Sequence, residues 1–339
     1  MTDATARGVA KFERSRFKVS KGFVAVSFST LGLFVVSAIL APTSVSPGPL
    51  LGMLPFAGVL AIVGLGQMLV VQQGGIDLSV PGAVSLAIVI VSHQPNGDNS
   101  KLLPAVFVAI AFAIGAGLTN GLLVGRLGLN PIVATLGTNA LLFGAVLGIS
   151  GGTPRVTTEL LRSIAVGLTF GVPNAVYFVL IALALVTVLL KKTVAGRRFE
   201  SIGASRATAN TIGLRVRLHQ TAAYVWAQLL YCAAGIMLAG ITALPTAFQG
   251  NSYLLPSVTV VVLGGTSLLG GRGFPVATVI AAVFLSQLDQ FVLALGVPYA
   301  VRTLVQAAAL AIGVALYTVD WVALRLKFKK SLPQVDTLV

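Results

Sequence analysis

The 339-residue chain is poor in the residues that most enzymes use, with one cysteine, two histidines and only nine acidic side chains. Cys232 sits alone in an apolar run, which excludes a disulfide framework and a cysteine metal site. His93 and His219 are far apart in sequence and flank different apolar runs, so no metal site is expected. Charged residues make up 9% of the chain, against about a quarter in a soluble domain. There is no Gly-x-x-x-x-Gly-Lys-Ser/Thr phosphate loop, so any ATP hydrolysis has to come from another chain. The apolar runs hold no Ser/His/Asp set and no paired carboxylates, which leaves a membrane-embedded enzyme with little support.

What the chain does contain is apolar length. Hydrophobic residues reach 56% and the mean hydropathy is +0.95, so the expected class is an all-α polytopic membrane protein. A span needs about 20 apolar residues, fewer if broken. Ten candidates emerge: 23–41, 50–71, 76–92, 102–124, 131–150, 171–190, 220–240, 254–270, 275–295 and 299–319. The third and eighth are short, and each touches a Gly-Gly pair. A basic tail (1–22) would precede the transmembrane domain (23–319) and another (320–339) would follow it, with the longest internal loop at 191–219. The net charge of +14 does not indicate a nucleic-acid partner, because Lys and Arg lie at the ends of apolar runs. With both termini inside, 19 basic residues fall on the inner side and 4 on the outer, as the positive-inside rule requires. The N-terminal tail also suits contact with inner-leaflet lipids.

One break stands out. Gly74-Gly75-Ile76-Asp77-Leu78-Ser79-Val80 puts a carboxylate and two glycines between apolar stretches. A charge at a helix centre costs about 2.5–3.5 kcal/mol on insertion scales, and irregular backbone at that depth needs protein or a water-filled cavity around it. Two roles stand for Asp77: accepting backbone N–H groups at a helix start, or gating and solute contact. A second break, Gly264-Gly265-Thr266-Ser267, follows the eighth candidate. Interrupted segments at matching places in two halves point to inverted repeats and a transport path, although glycine also serves close helix packing. Candidates for the path or gate are Gln67, Gly74, Gly75, Asp77, Ser79, Asn120, Asn139, Gly264, Gly265, Thr266 and Ser267, with Ser85 and Thr135 also polar within spans. For a lone Asn, Ser or Thr, interhelical hydrogen bonding competes with that role.

In the loop 191–219, Ser205 suits an N-cap, Arg206–Ile212 a two-turn helix and Gly213 the position after it. The loop reads either as a docking piece for a cytosolic partner or as a solvated topology signal. Near the outer ends of spans nine and ten, Asp289 and Arg302 lie at depths of about 10 and 6 Å, so an ion pair is expected, against two snorkelling side chains.

Four stretches in order, GGIDLSV (74–80), NPIVATLGT (130–138), AGRRFESIGASRATANTIGLRV (195–216) and LGGTSLLGGRG (263–273), resemble the permease subunits of ATP-binding-cassette importers of the ribose/xylose/autoinducer-2 type. The similarity runs over roughly residues 50–320. Departures are Pro81 where glycine is usual, Tyr253-Leu254-Leu255-Pro256 in place of an acidic stretch, and Ala204–Thr208 at the start of the coupling segment. The resemblance implies a ten-helix type II importer permease in the bacterial plasma (inner) membrane, working beside a second permease chain, identical or related. It implies cytosolic ATPase subunits, which hold ATP and Mg, and an extracytoplasmic solute-binding protein; this chain itself carries no cofactor. It also implies that 199–213 is the coupling helix, with Glu200, Gly203, Ala204, Ser205, Arg206, Ala207, Asn210 and Gly213 meeting the ATPase. Alternatives are an ion-coupled secondary transporter using Asp77 and a nucleoside-importing relative of the same permeases.

Overall fold

A computed structural model describes residues 21–298, 300–305, 307, 308 and 311. Nearly all of the basic tails and most of the tenth expected span lie outside the described residues. The helices are α1 (Lys21–Leu40), α2 (Pro47–Gln72), α3 (Val80–His93), α4 (Leu102–Gly121), α5 (Pro131–Ser150), α6 (Glu159–Val166), α7 (Asn174–Lys192), α8 (Val194–Ala204), α9 (Arg206–Thr211), α10 (Val216–Thr242), α11 (Leu254–Leu263) and α12 (Pro275–Ala294). Seven are long and apolar enough to cross a membrane: α1, α2, α4, α5, α7, α10 and α12.

The centre is built from α2, α3 and α10. Of 26 residues in α2, 18 are buried, and 13 of 14 in α3. Helices that are apolar on all sides fit an interior position. Helices α1 and α7 lie at the periphery, their apolar side chains largely exposed, as lipid-facing surfaces are. Close approach to α10 comes from glycine: Gly117 and Gly121 on α4 would each carry a Cβ within 2.6 Å of the α10 backbone, at Val225 and Thr221. This spacing of four brings two helix backbones together. The continuous ladder of α4 ends in a π turn, Leu122–Arg126.

The second and seventh expected spans begin earlier in the structure, at Pro47 and Val216, and the third, sixth and eighth are shortened. The third span, 76–92, begins only at Val80, because Gly74 takes a positive φ of 72° and Gln73–Ser79 runs as a non-helical link. The eighth, 254–270, ends at Leu263, because Gly265, Gly270 and Gly271 all have positive φ. At about 1.5 Å per residue neither α3 nor α11 by itself covers a hydrocarbon layer of about 30 Å. The fifth connection, between α5 and α7, contains α6, capped by Thr158, and a two-residue hairpin, Leu168–Thr169 with Val172–Pro173. The sixth span therefore starts at Asn174 rather than 171.

Connections group at two ends. One end gathers 72–79, 122–131, 190–216 and 264–274; the other gathers 41–47, 94–102, 151–173 and 243–253. Cross-contacts at the second end include the Thr157 amide donating to the Ala243 carbonyl and the Leu160 amide donating to Asn99 Oδ1.

Candidate functional site

The residues of the first break are gathered in a buried polar node. Asp77 has no exposed surface, and its Oδ1 accepts from the Ser79 amide at 2.9 Å and the Ser79 hydroxyl at 2.5 Å. The Ser79 hydroxyl in turn accepts from Asn120 Nδ2 at 3.0 Å and Gln228 Nε2 at 2.7 Å. One hydrogen and two lone pairs are all a hydroxyl has, so Ser79 is saturated. Gln228 Nε2 also lies 3.3 Å from Asp77 Oδ2. Turned to satisfy both ends of its amide, Gln67 donates to the Asp77 carbonyl and accepts from the Asp77 amide, each at 3.2 Å, and donates to the Tyr231 hydroxyl.

Helix α5 completes the anchoring of α3. Thr135 Oγ1 accepts from the Leu78 amide at 2.9 Å, and Asn139 Oδ1 accepts from the Gly82 amide at 2.8 Å. Four residues apart on one helix face, these two satisfy N–H groups that the start of α3 leaves open. Gln67, Asp77, Ser79, Asn120 and Asn139 are thus brought together as supports of a helix start. Gly75 is held tight, since its Cβ would fall 2.9 Å from the Tyr224 hydroxyl. Ser85 accepts from the Gly250 amide at 3.0 Å and lies apart from the node.

Gln228 and Tyr231 were not legible as site residues. Their only sequence signal is the spacing Tyr224, Gln228, Tyr231 within an apolar run, which places three polar tips on one helix face.

The second break is a separate turn. Gly264 ends α11, Thr266 is buried, and Ser267 Oγ accepts from the Leu269 amide at 3.2 Å. It does not reach Asp77, but it does reach the first break at its start: the Gly271 amide donates to the Gln72 carbonyl at 3.0 Å. The two glycine breaks therefore meet at one end of the molecule.

The segment 199–213 meets them there, as two helices rather than one. Ser205, extended at φ −160°, separates α8 from α9 and accepts from the Thr208 amide as N-cap. Gly213, at φ +79°, stops the turn after α9. A small core of Ile202, Ala209 and Val216, with Leu214 against it, orders a unit too short to be helical alone. Ala204, Ser205, Arg206, Ala207, Asn210 and Gly213 are exposed. Gly203 faces inward instead, where a Cβ would run into the Gln72 carbonyl. Glu200 is half-buried and pairs with Lys191.

At the opposite end, the Arg302 guanidinium donates to Asp289 Oδ2 at 3.2 Å. This pair borders a cavity of about 670 Å³ between α2, α12 and the connection after α1. A further groove of about 380 Å³ runs between α4 and α5, lined by Phe112, Gly115, Ala116, Thr119, Thr138 and Leu142. Thr138 is buried there, and its Oγ1 has no hydrogen-bond partner among the described residues. No cluster of three metal-ligating side chains occurs among the described residues.

A family model described as branched-chain amino acid transport system / permease component matches residues 50–314. The ribose import permease of Bacillus subtilis (strain 168) is 32% identical, with 84% of this chain and 90% of the relative aligned. The ribose import permease of Escherichia coli (strain K12) is 30% identical over 93% of this chain and 98% of its own length. The autoinducer 2 import system permease of Enterobacter sp. (strain 638) is 33% identical over 76% of each. No solved structure matches.

Proposed function

Because the chain belongs to the branched-chain amino acid transport system / permease component family, we propose that it forms the path for a sugar-like solute through an ATP-driven importer. It is a permease subunit and a multi-pass protein of the bacterial inner membrane. Cytosolic ATPase subunits drive it, and an extracytoplasmic binding protein delivers the solute. The α8–α9 unit is the ATPase-facing surface, presented by Ala204, Ser205, Ala207, Asn210 and Gly213. The observation that carries this reading is that an exposed two-helix unit is seated on both glycine breaks at once.

The end bearing α8 and α9 then faces the cytoplasm, and ten spans with both termini inside follow from the charge distribution. The repeat relation between the two breaks belongs to the same proposal. A neutral solute fits the interior better than an amino acid does. Asp77 is the sole fully buried charged side chain among the described residues, and its oxygens are occupied. Ion coupling through Asp77 is disfavoured for the same reason. The groove between α4 and α5, with hydroxyls at Thr119 and Thr138, is this chain's side of the path. Gly137, Gly144 and Gly148 share an exposed face of α5 beside it, where an added Cβ would meet no other part of the described residues within 4 Å. That face meets the second permease chain.

Tagged purification in mild detergent tests the reading, followed by uptake into proteoliposomes with ATP inside. The expected sample is two permease and two ATPase chains, importing ribose rather than leucine when the binding protein is present. A permease that purifies alone and loses uptake to a protonophore at constant ATP refutes it. Ribose, autoinducer 2, a nucleoside and leucine in parallel assays identify the solute class.

A further inference from the structure

We infer that Gln73, Arg206 and Gln220 are positioning residues that carry movement of the α8–α9 unit to the start of α3, an inference that rests on the importer reading above. Gln73 is the buried residue that follows α2, and it is held by both helices of the unit. Its side chain donates from Nε2 to the Phe199 carbonyl of α8 at 2.9 Å. Its own carbonyl accepts from Arg206 Nη2, at the first residue of α9, at 2.5 Å. With the Gln220 amide turned so that Oε1 faces α9, that oxygen accepts from Arg206 Nε at 2.9 Å and Nη2 at 3.1 Å. One guanidinium therefore ties the first break to α10.

Both ties lead to the same place. Asp77 lies four residues beyond Gln73 along the link. Gln228 lies eight residues beyond Gln220, about 12 Å along the axis of α10, and donates to Ser79 and Asp77. Arg206, Gln73, Asp77, Gln228 and Gln220 form a closed ring whose sides are a short link and a rigid helix. The ring has little slack, because Gly203 packs against the Gln72 carbonyl and the Gly271 amide donates to the same oxygen. A displacement of α9 is then delivered to both supports of the α3 start together. The planar fork of arginine is what lets one side chain serve two acceptors at fixed geometry, which a lysine point charge does not reproduce.

The test uses the complete complex, with ATPase and binding protein, in proteoliposomes. Uptake per ATP hydrolysed is compared for wild type, Gln73→Leu, Gln220→Leu, Arg206→Met and Arg206→Lys, together with ATPase retention and unfolding temperature. Gln73→Leu and Arg206→Met are expected to lower uptake per ATP about tenfold, within the usual range of coupling between sites, while the complex stays assembled. Arg206→Lys keeps the charge but not the fork, and is expected to fall closer to Arg206→Met than to wild type. Unchanged uptake per ATP in assembled variants overturns the inference. So does a loss that merely follows falling unfolding temperature, and since Arg206 is exposed its variants decide the matter if Gln73→Leu does not fold. Absence of any ATPase in the wild-type sample is a different result, which refutes the importer reading itself.

Discussion

Ser79 is the residue on which most of the buried polar node depends, because its hydroxyl is donor to Asp77 and acceptor from both Asn120 and Gln228. Ser79→Ala leaves those three groups short of a partner at once, and a buried unsatisfied group costs about 1–3 kcal/mol. The expected outcome is a lower unfolding temperature in detergent and reduced folded yield. Asp77→Asn is gentler. The Oδ1 position still accepts from the Ser79 amide and hydroxyl, while the new amide nitrogen faces the Gln228 donor, so a loss of about 1 kcal/mol is expected. Uptake by Asp77→Asn should persist and stay insensitive to the proton gradient; abolished uptake in a well-folded variant would revive the carboxylate as a proton carrier. Asp77 was conspicuous in the sequence because an intramembrane charge is costly. Its partner Gln228 was not, since an isolated glutamine in an apolar helix carries no indication of which helix it will face.

Among the helices, the α4–α10 seam offers a controlled comparison of two glycines on one element. Gly121 packs on Thr221, and Gly121→Leu forces α4 and α10 apart, with overpacking expected to cost about 3 kcal/mol. A Cβ added at Gly115 would point into open space, so Gly115→Leu should leave the melting temperature of the isolated chain unchanged. Thermal unfolding of the two variants side by side checks the packing. Helix bounds were most legible where local chemistry stops the chain. Helix α5 runs over 131–150 as expected, because Asn130 caps it, Pro131 starts it and Gly151 ends it in the left-handed region. Helix α6 went unread although Thr158 before an amphipathic Glu159–Val166 is an adequate start signal. Its eight residues were simply too few to count as a span.

For the whole molecule, the pairing of permease chains is the consequence most open to measurement. If the exposed α5 face with Gly137, Gly144 and Gly148 meets a second chain, Gly144→Leu removes the close approach of backbones there. The expected result is a shift from two permease chains to one by native mass spectrometry, with the unfolding temperature of the single chain unaffected. Retention of the pair would place the partner on another face. Uptake should fall with the pair, because the groove between α4 and α5 lies beside that face.

By itself the sequence determined the membrane class, the order of the apolar helices, the location of both glycine breaks and the cap of α9. These follow from composition, periodicity and residues whose effect reaches only a turn or two along the chain. Only the tertiary structure decided that 199–213 is two helices, that Gly203 faces inward, and that the two breaks and the α8–α9 unit meet at one end. It also decided that Asp77, Ser79, Asn120 and Gln228 share one network. Hydrogen bonds between residues as far apart as 77 and 228 depend on how helices stack, and in an apolar bundle stacking is set by surface shape rather than by any local signal.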